Sequence, residues 1–171
     1  MNPRIVVLSC GNPSRGDDAI GPELTRILTQ AQQRGRISPQ VTLLTDFQLQ
    51  IEHVTDMTEA DAVVFVDAAL EGAEPFSFAH VQPRPAAGIT THALSPSALL
   101  AVFEQVMHRQ SPPAWVLAVR GYRFVLGEAL SPAASDNLSR AADFLCSHLL
   151  SPRPRFSGVA AHACSSWDVN C

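Results

Sequence analysis

The sequence predicts an α/β protein: a single three-layer domain in which a mainly parallel, twisted sheet of about five strands carries helices on both faces. Short apolar runs rich in β-branched residues alternate with segments of helical periodicity. These runs are continuous rather than alternating, which is typical of strands covered on both faces. The chain has 171 residues, a usual length for one domain, and its 46% apolar content is enough for a full core.

The first predicted unit is a strand, an acidic turn and a helix. Residues 5–8 form a short apolar run that predicts a buried strand. Pro22 suits the first turn of a helix, and Leu24, Ile27 and Leu28 recur at helical spacing. The turn between them therefore lies at the carboxyl end of the first strand.

The remaining elements follow from the same patterns. They are a strand over 41–44, a helix carrying Leu49, Val54 and Met57, a strand over 62–66 that ends at Asp67, an edge strand with alternating Phe76, Phe78 and His80, a helix over 96–107, a strand over 115–119 and a long helix over 132–150. Beyond residue 150 the periodicity is lost and Pro, Ser and Arg accumulate. We therefore expect residues 1–150 to form the domain and 151–171 to be an irregular C-terminal extension.

Composition argues against several classes of function. With 16 acidic and 12 basic residues the net charge is −4, which disfavours nucleic acid as a partner. All the basic residues are arginine, so Schiff-base chemistry and the P-loop lysine are excluded. The apolar stretches are shorter than the roughly 18 residues that cross a bilayer, and the first residues do not read as a signal peptide. We expect a cytoplasmic protein without a membrane partner, whose four cysteines, which form no CxxC pair, are free thiols.

The turn over residues 12–21, NPSRGDDAIG, is the most informative segment. It places Asp17 and Asp18 at the carboxyl edge of the sheet, where open α/β sheets bind ligands. Aspartate also caps helices and favours their first turn, so one of the pair has a structural alternative. We expect Asp17 to serve the turn and Asp18 to face the ligand. The glycines here are five residues apart, which does not match a Rossmann fingerprint, so we expect no nucleotide cofactor.

Other polar residues are predicted at the same edge. Asp67 follows the most apolar strand, and His92 lies in a loop before a predicted helix. Two carboxylates and an imidazole on separate loops fit a divalent transition-metal site with open positions. Taken singly, Asp67 is equally well explained as a cap and His92 as a surface residue. Asp46 and Gln48, which follow the second strand, are further candidates for lining a substrate cleft, as is Asp17.

Three segments together resemble the [NiFe]-hydrogenase maturation endopeptidases. They are the Gly-Asn-Pro-x-x-Gly-Asp-Asp-x-x-Gly pattern over 11–21, the strand ending Val-Asp-Ala at 66–68, and the Thr-Thr-His loop at 90–92. The resemblance spans the predicted domain and implies the same α/β fold. It also implies that Asp18, Asp67 and His92 are the metal-contacting and catalytic residues. The segment 46–53 resembles that of members serving soluble NAD-linked hydrogenases.

The resemblance implies an aspartyl-type endopeptidase that removes the C-terminal extension of a hydrogenase large-subunit precursor after nickel insertion. We expect a monomer, which suits a protease that must receive a large folded subunit. In one mechanism the three residues contact nickel carried by the precursor, so the metal is supplied by the substrate. In a second the metal polarises the peptide carbonyl and activates water, and in a third the carboxylates are an acid/base pair. A noncatalytic nickel-binding chaperone or sensor would use the same ligands and is the alternative from another class.

Overall fold

A five-stranded sheet forms the middle layer of the fold, with strand order β2-β1-β3-β5-β4. The computed structural model describes residues 2–86 and 94–149. The strands are β1 Ile5–Cys10, β2 Val41–Asp46, β3 Ala62–Ala69, β4 Phe76–Val81 and β5 Ala114–Arg120. The helices are α1 Ile20–Gln33, α2 His53–Asp56, α3 Pro96–Met107 and α4 Pro132–Leu149, with a 3₁₀ turn at Gly16–Ala19 before α1. The predicted α/β class and the mainly parallel sheet are confirmed.

The strand order creates a switch point between β1 and β3. From β1 the chain passes to β2 on one side, and it later returns to β3 on the other side. These strands and β5 are parallel, whereas β4 is antiparallel at the edge. The carboxyl ends of neighbouring strands lie at the same height in the sheet, because Cys10 pairs with Asp46 and Asp67 pairs with Ala118. Such a switch point is where open α/β sheets form their ligand crevice.

The core has one layer on each face of the sheet. Alternate residues of β1 divide between the layers: Val7 packs in the layer formed with α1 and α4, and Leu8 in the layer formed with α2 and α3. Leu24 of α1 and Phe103 of α3 are fully buried in these two layers. Burying a side chain of this size stabilises the fold by about 1.5–3 kcal/mol. The predicted placement of helices on both faces is therefore confirmed.

Local capping explains where α3 begins and ends. The Ser95 hydroxyl accepts a hydrogen bond from Ala98 N at 3.2 Å, and Pro96 occupies the first helical position. His108 ends the helix in the left-handed conformation, with φ of 52°. Among the described residues, no helix is long and apolar enough to cross a membrane.

Two sequence predictions were wrong in detail. The strands are longer than predicted: β1 continues to Cys10 and β3 to Ala69, so Asp67 lies inside a strand rather than after it. The ladder hydrogen bonds of a paired neighbour extend a strand whatever its side chains are. The predicted helix carrying Leu49, Val54 and Met57 is reduced to the four residues of α2. Its three apolar side chains are buried nonetheless.

The shortness of α2 has a local cause. Gln50 N donates a hydrogen bond to the Nδ1 atom of His53 at 2.9 Å, and Phe47 N donates to the Asp46 carboxylate at 2.6 Å. Side chains that bind nearby backbone groups in this way compete with helix formation. The segment before α2 is therefore a turn, and the predicted extension 151–171 lies outside the described residues.

Candidate active site

The 3₁₀ turn Gly16–Ala19 separates the two neighbouring aspartates. A 3₁₀ helix has about three residues per turn, so successive side chains point about 120° apart. Asp17 is completely buried, whereas Asp18 is partly exposed. The two carboxylates therefore belong to different environments, although they are adjacent in sequence.

Asp17 is the structural acid of the turn. Its Oδ2 atom accepts hydrogen bonds from Tyr122 N at 2.7 Å, from Arg123 N at 2.9 Å and from the Ser131 hydroxyl at 2.8 Å. Its Oδ1 atom accepts a bond from Ser131 N at 2.7 Å. Burial raises the pKa of Asp17, but these hydrogen bonds outweigh burial and hold the pKa below its usual value. The prediction that Asp17 also lines a substrate cleft is wrong, because its side chain has no exposed surface.

The partner of the turn is the loop between β5 and α4, residues 121–131, here called the clasp loop. Besides the Asp17 carboxylate contacts, Asp17 N donates to Arg123 O at 2.7 Å and Gly16 N to Glu128 O at 3.1 Å. Gly16 has a φ of 54°, and a Cβ atom there would lie 2.3 Å from the Arg123 carbonyl oxygen. Only glycine permits both the backbone conformation and this close approach. The turn and the clasp loop therefore form one rigid unit.

Sequence reasoning missed the clasp loop. It has no periodicity, and its contacts with the turn join residues more than a hundred positions apart. The one signal available was its position: it follows β5 directly, so it must leave the sheet at the same carboxyl edge as the acidic turn.

Asp18 and Asp67 form a partly buried pair at the switch point. Asp18 Oδ2 accepts a hydrogen bond from Asn12 N at 3.0 Å, and Asp67 Oδ1 accepts one from Ala68 N at 2.8 Å. Within residues 2–86 and 94–149, the second oxygen of each carboxyl group has no hydrogen-bond partner. One carboxylate oxygen thus holds each side chain in place, and the other oxygen is available to a ligand.

The electrostatics of the pair are unusual. Burial raises the pKa of Asp67 to about 7; the hydrogen bond from Ala68 N opposes this rise, and the negative charge of Asp18 adds to it. The two carboxyl groups are therefore close enough to interact. A carboxyl group with a pKa near neutrality can bind a cation, which relieves the repulsion, or exchange a proton in a reaction.

The Asp46 backbone lies beside the acidic turn, and its side chain binds local groups. Its Oδ2 atom is 3.5 Å from the Nε2 atom of His53 and 3.4 Å from Gln50 Nε2. Asp46 O accepts a hydrogen bond from Gly11 N at 3.1 Å, which ties β2 to the turn. Gln48 is exposed in the loop that follows. His53, which is buried beneath this loop, was not among the predicted site residues.

The predicted third ligand, His92, lies outside the described residues. Within those residues, no group of three or more His, Cys, Asp or Glu side chains is arranged to hold a metal ion. The structure thus brings Asp18 and Asp67 together and leaves the role of His92 as a prediction.

Comparison with solved structures gives a consistent result. A [NiFe] hydrogenase maturation protease, HycI from Thermococcus kodakarensis KOD1, has 25% sequence identity with a TM-score of 0.68, covering 87% of this chain and 93% of that one. This chain has the fold of the hydrogenase maturation proteases. The hydrogenase maturating endopeptidase HybD of E. coli has 19% identity and a TM-score of 0.65, with 83% of this chain and 89% of that chain covered. No protein-family model and no curated protein matches the sequence.

Exposed apolar side chains lie at the same edge of the sheet as the carboxylate pair. The described residues contain seven exposed large apolar side chains, and all but Val106 follow a strand at the carboxyl edge of the sheet. They are Phe47 and Ile51 after β2, Leu70 after β3, and Tyr122, Val125 and Leu126 in the clasp loop. We call these six residues the apolar rim. Exposed apolar side chains gathered at one edge are typical of a surface that contacts another protein.

Proposed function

We propose that this chain is an endopeptidase that removes the C-terminal extension of a [NiFe]-hydrogenase large-subunit precursor after nickel has been inserted. The observation that carries the proposal is the Asp18 and Asp67 pair at the switch point of a fold shared with hydrogenase maturation proteases. The apolar rim supports a protein substrate, because it lies at the same edge of the sheet as this pair and is a surface suited to another chain.

The carboxylate pair suits recognition of a metal carried by the substrate. Asp18 and Asp67 each offer one free oxygen, and their mutual repulsion favours a cation between them. In the proposal His92 is the third contact. Two carboxylates hold a divalent ion weakly, which suits an enzyme that must release the nickel with its product. Nickel in the precursor would then dock the peptide to be cleaved against the carboxyl edge.

Hydrolysis needs a group that exchanges protons near neutral pH. As a water oxygen attacks the peptide carbonyl carbon, one carboxylate accepts a proton from that water. A proton is then delivered to the leaving nitrogen as the C–N bond breaks. Asp67 meets this requirement because burial and the charge of Asp18 bring its pKa to about 7. Asp17 does not, because its oxygens are used by the clasp loop.

The test uses metal-free enzyme with nickel-loaded and nickel-free precursor, and intact mass reports the loss of the extension. We expect only the loaded precursor to be shortened. Asp18→Asn, Asp67→Asn and His92→Ala should each abolish cleavage, whereas Asp136→Asn, an exposed change on α4, should not. Equal cleavage of both precursors would contradict nickel recognition.

The same experiment separates the protease from a nickel-binding chaperone. If the enzyme binds free nickel tightly and leaves both precursors intact, the chaperone function replaces the proposed one. If Asp18→Asn and His92→Ala cleave normally, the site is assigned to the wrong residues.

We propose that the loop after β2 determines which hydrogenase precursor the enzyme cleaves. Asp46 is tied to Gly11 at the start of the acidic turn and Gln48 is exposed in the same loop. Because segment 46–53 resembles that of members serving soluble NAD-linked hydrogenases, the proposed substrate is the large subunit of such an enzyme. Competition between that precursor and one from a membrane-bound hydrogenase should favour the first. Cleavage of only the second would overturn this assignment.

A further inference from the structure

Arg120 is a cation held firmly at the carboxyl end of β5. Its backbone is fixed from two sides: Arg120 N donates to Pro75 O at 3.1 Å, and Arg120 O accepts from the side-chain amide of Asn137 at 3.1 Å. The side chain is partly buried, and its guanidinium lies over the ring of Tyr122, 5.4 Å from the centroid. Stacking of this kind orients a guanidinium without using its hydrogen-bond donors.

The aromatic platform under Arg120 is itself fixed. The Tyr122 hydroxyl donates to Glu74 Oε1 at 2.8 Å and accepts a hydrogen bond from Asn137 Nδ2 at 3.0 Å. Tyr122 N is held by the Asp17 carboxylate at 2.7 Å. The ring therefore has contacts at both ends, and the guanidinium above it is preorganised.

The guanidinium lacks an acceptor within the described part of the chain. The Nε atom of Arg120 is shielded from solvent and has no hydrogen-bond partner, and none of the described carboxylates forms an ion pair with this arginine. Arg123, three residues later, differs: its guanidinium pairs with Glu128 at 2.7 Å. A hydrogen-bond donor that is shielded from water and has no acceptor costs free energy. A ligand that brings an acceptor to the Arg120 guanidinium would remove this cost and would therefore be bound favourably.

Strand register places Arg120 next to the carboxylate pair. In the parallel ladder Asp67 pairs with Ala118, and Ala69 pairs with Arg120. Paired residues of parallel strands face the same side of the sheet, and residues two apart on a strand also share a side. Asp67 and Arg120 therefore lie on the same face, with Arg120 one step further along. A peptide held at Asp67 would therefore lie near Arg120.

We propose that Arg120 binds a carboxylate of the substrate's cleaved segment and so sets the position of the peptide bond relative to Asp18 and Asp67. This inference rests on the proposed endopeptidase function. A planar guanidinium pairs with a carboxylate through two parallel hydrogen bonds, which lysine cannot reproduce. The carboxylate is either an acidic side chain of the extension or its C-terminal carboxyl group.

The test compares the wild type with Arg120→Gln, Arg120→Lys and the matched control Arg123→Gln. Three nickel-loaded precursors are used: the natural one, one whose extension has amides in place of acidic side chains, and one with an amidated C-terminus. We expect Arg120→Gln to raise KM for the natural precursor about 10-fold or more, with kcat changed by less than about twofold. Arg120→Lys should recover only part of this loss, and Arg123→Gln should resemble the wild type.

The modified precursors identify the carboxylate. The precursor that has lost the group bound by Arg120 should show a raised KM with the wild type and no further rise with Arg120→Gln. A purely structural role would instead lower the melting temperature and leave KM unchanged. Equal KM values of the wild type and a folded Arg120→Gln or Arg120→Lys variant for all three precursors would overturn the proposal.

Precursor binding, measured in the same series, separates the two proposals. Absence of cleavage by the wild type would contradict the endopeptidase function. Equal precursor affinity of the wild type and Arg120→Gln would contradict the carboxylate contact, whether or not cleavage occurs.

Discussion

Replacing Asp17 by Asn should destabilise the fold far more than the same change at Asp18. The Asp17 carboxylate accepts four hydrogen bonds, from Tyr122 N, Arg123 N, Ser131 N and the Ser131 hydroxyl. Three of these reach Oδ2, so an asparagine keeps most contacts by placing its oxygen there. Its amide group then faces Ser131 N, which is also a donor.

The expected magnitude follows from these contacts. One buried donor loses its acceptor, which costs about 1–3 kcal/mol, and the remaining bonds lose the strength that the charge gave them. We expect Asp17→Asn to lower the free energy of unfolding by about 3 kcal/mol. At about 2–4 °C per kcal/mol for a domain of this size, the melting temperature should fall by roughly 10 °C. Asp18→Asn affects one partly exposed contact and should cost about 1 kcal/mol or less.

The assay is thermal unfolding of the full chain followed by circular dichroism, repeated as a function of pH. Because the pKa of Asp17 is lower in the folded chain than its ordinary value of 3.8, its stabilising effect is present above pH 3.8. The effect is lost as the pH falls below that value and through the folded pKa. The difference in melting temperature between the wild type and Asp17→Asn should therefore become smaller in acid. Equal melting temperatures for the wild type and Asp17→Asn at pH 7 would refute the structural role.

Three further predictions concern other residues at or near the carboxyl edge of the sheet. The pKa of Asp67, about 7 in the fold against 3.8 ordinarily, makes the folded state lose stability as pH rises between these values. Across that pH range the free energy of unfolding of Asp67→Asn should rise relative to that of the wild type by at most about 4 kcal/mol, and by less because solvent screens the charge. A difference between the two that does not depend on pH would contradict this prediction. Gly16→Ala should cost about 3 kcal/mol or more in urea unfolding, whereas Gly35→Ala, with φ of 69° and open space, should cost about 1 kcal/mol. Leu126→Ser should raise KM for the precursor without lowering the melting temperature, and Val106→Ser should leave KM unchanged; equal effects would exclude the rim as the docking surface.

The order of elements could be predicted because it depends on local patterns. The apolar runs of β1 and β3 and the spacing of Leu24 and Leu28 in α1 specify buried strands and an amphipathic helix on their own. The ends of strands depend on pairing instead. Asp67 belongs to β3 because β5 supplies the ladder beside it, and nothing in the neighbouring residues indicates this.

The position of the candidate site could be predicted only as far as topology determines it. Parallel strands bring Asp18 and Asp67 to one edge whatever the loops do, and this pairing is supported by their interaction. The partners of Asp17 could not be predicted, because Tyr122 is 105 residues away and lies in a loop without a pattern. Arg120 was missed for the same reason: an arginine at a strand end is ordinary until its surroundings show that the described residues offer its Nε atom no acceptor.

The buried aspartate organises the site without taking part in it. Asp17 holds the backbone of Tyr122, whose ring supports the Arg120 guanidinium, and its own position in the 3₁₀ turn fixes the direction of Asp18. One carboxylate therefore sets the positions of both groups proposed to bind the substrate. Because β3 is joined to β5 in the sheet, Asp67 keeps its place when this contact is weakened. Loss of Asp17 should thus misalign Asp18 and Arg120 relative to Asp67, and cleavage should fall even at temperatures where the chain remains folded.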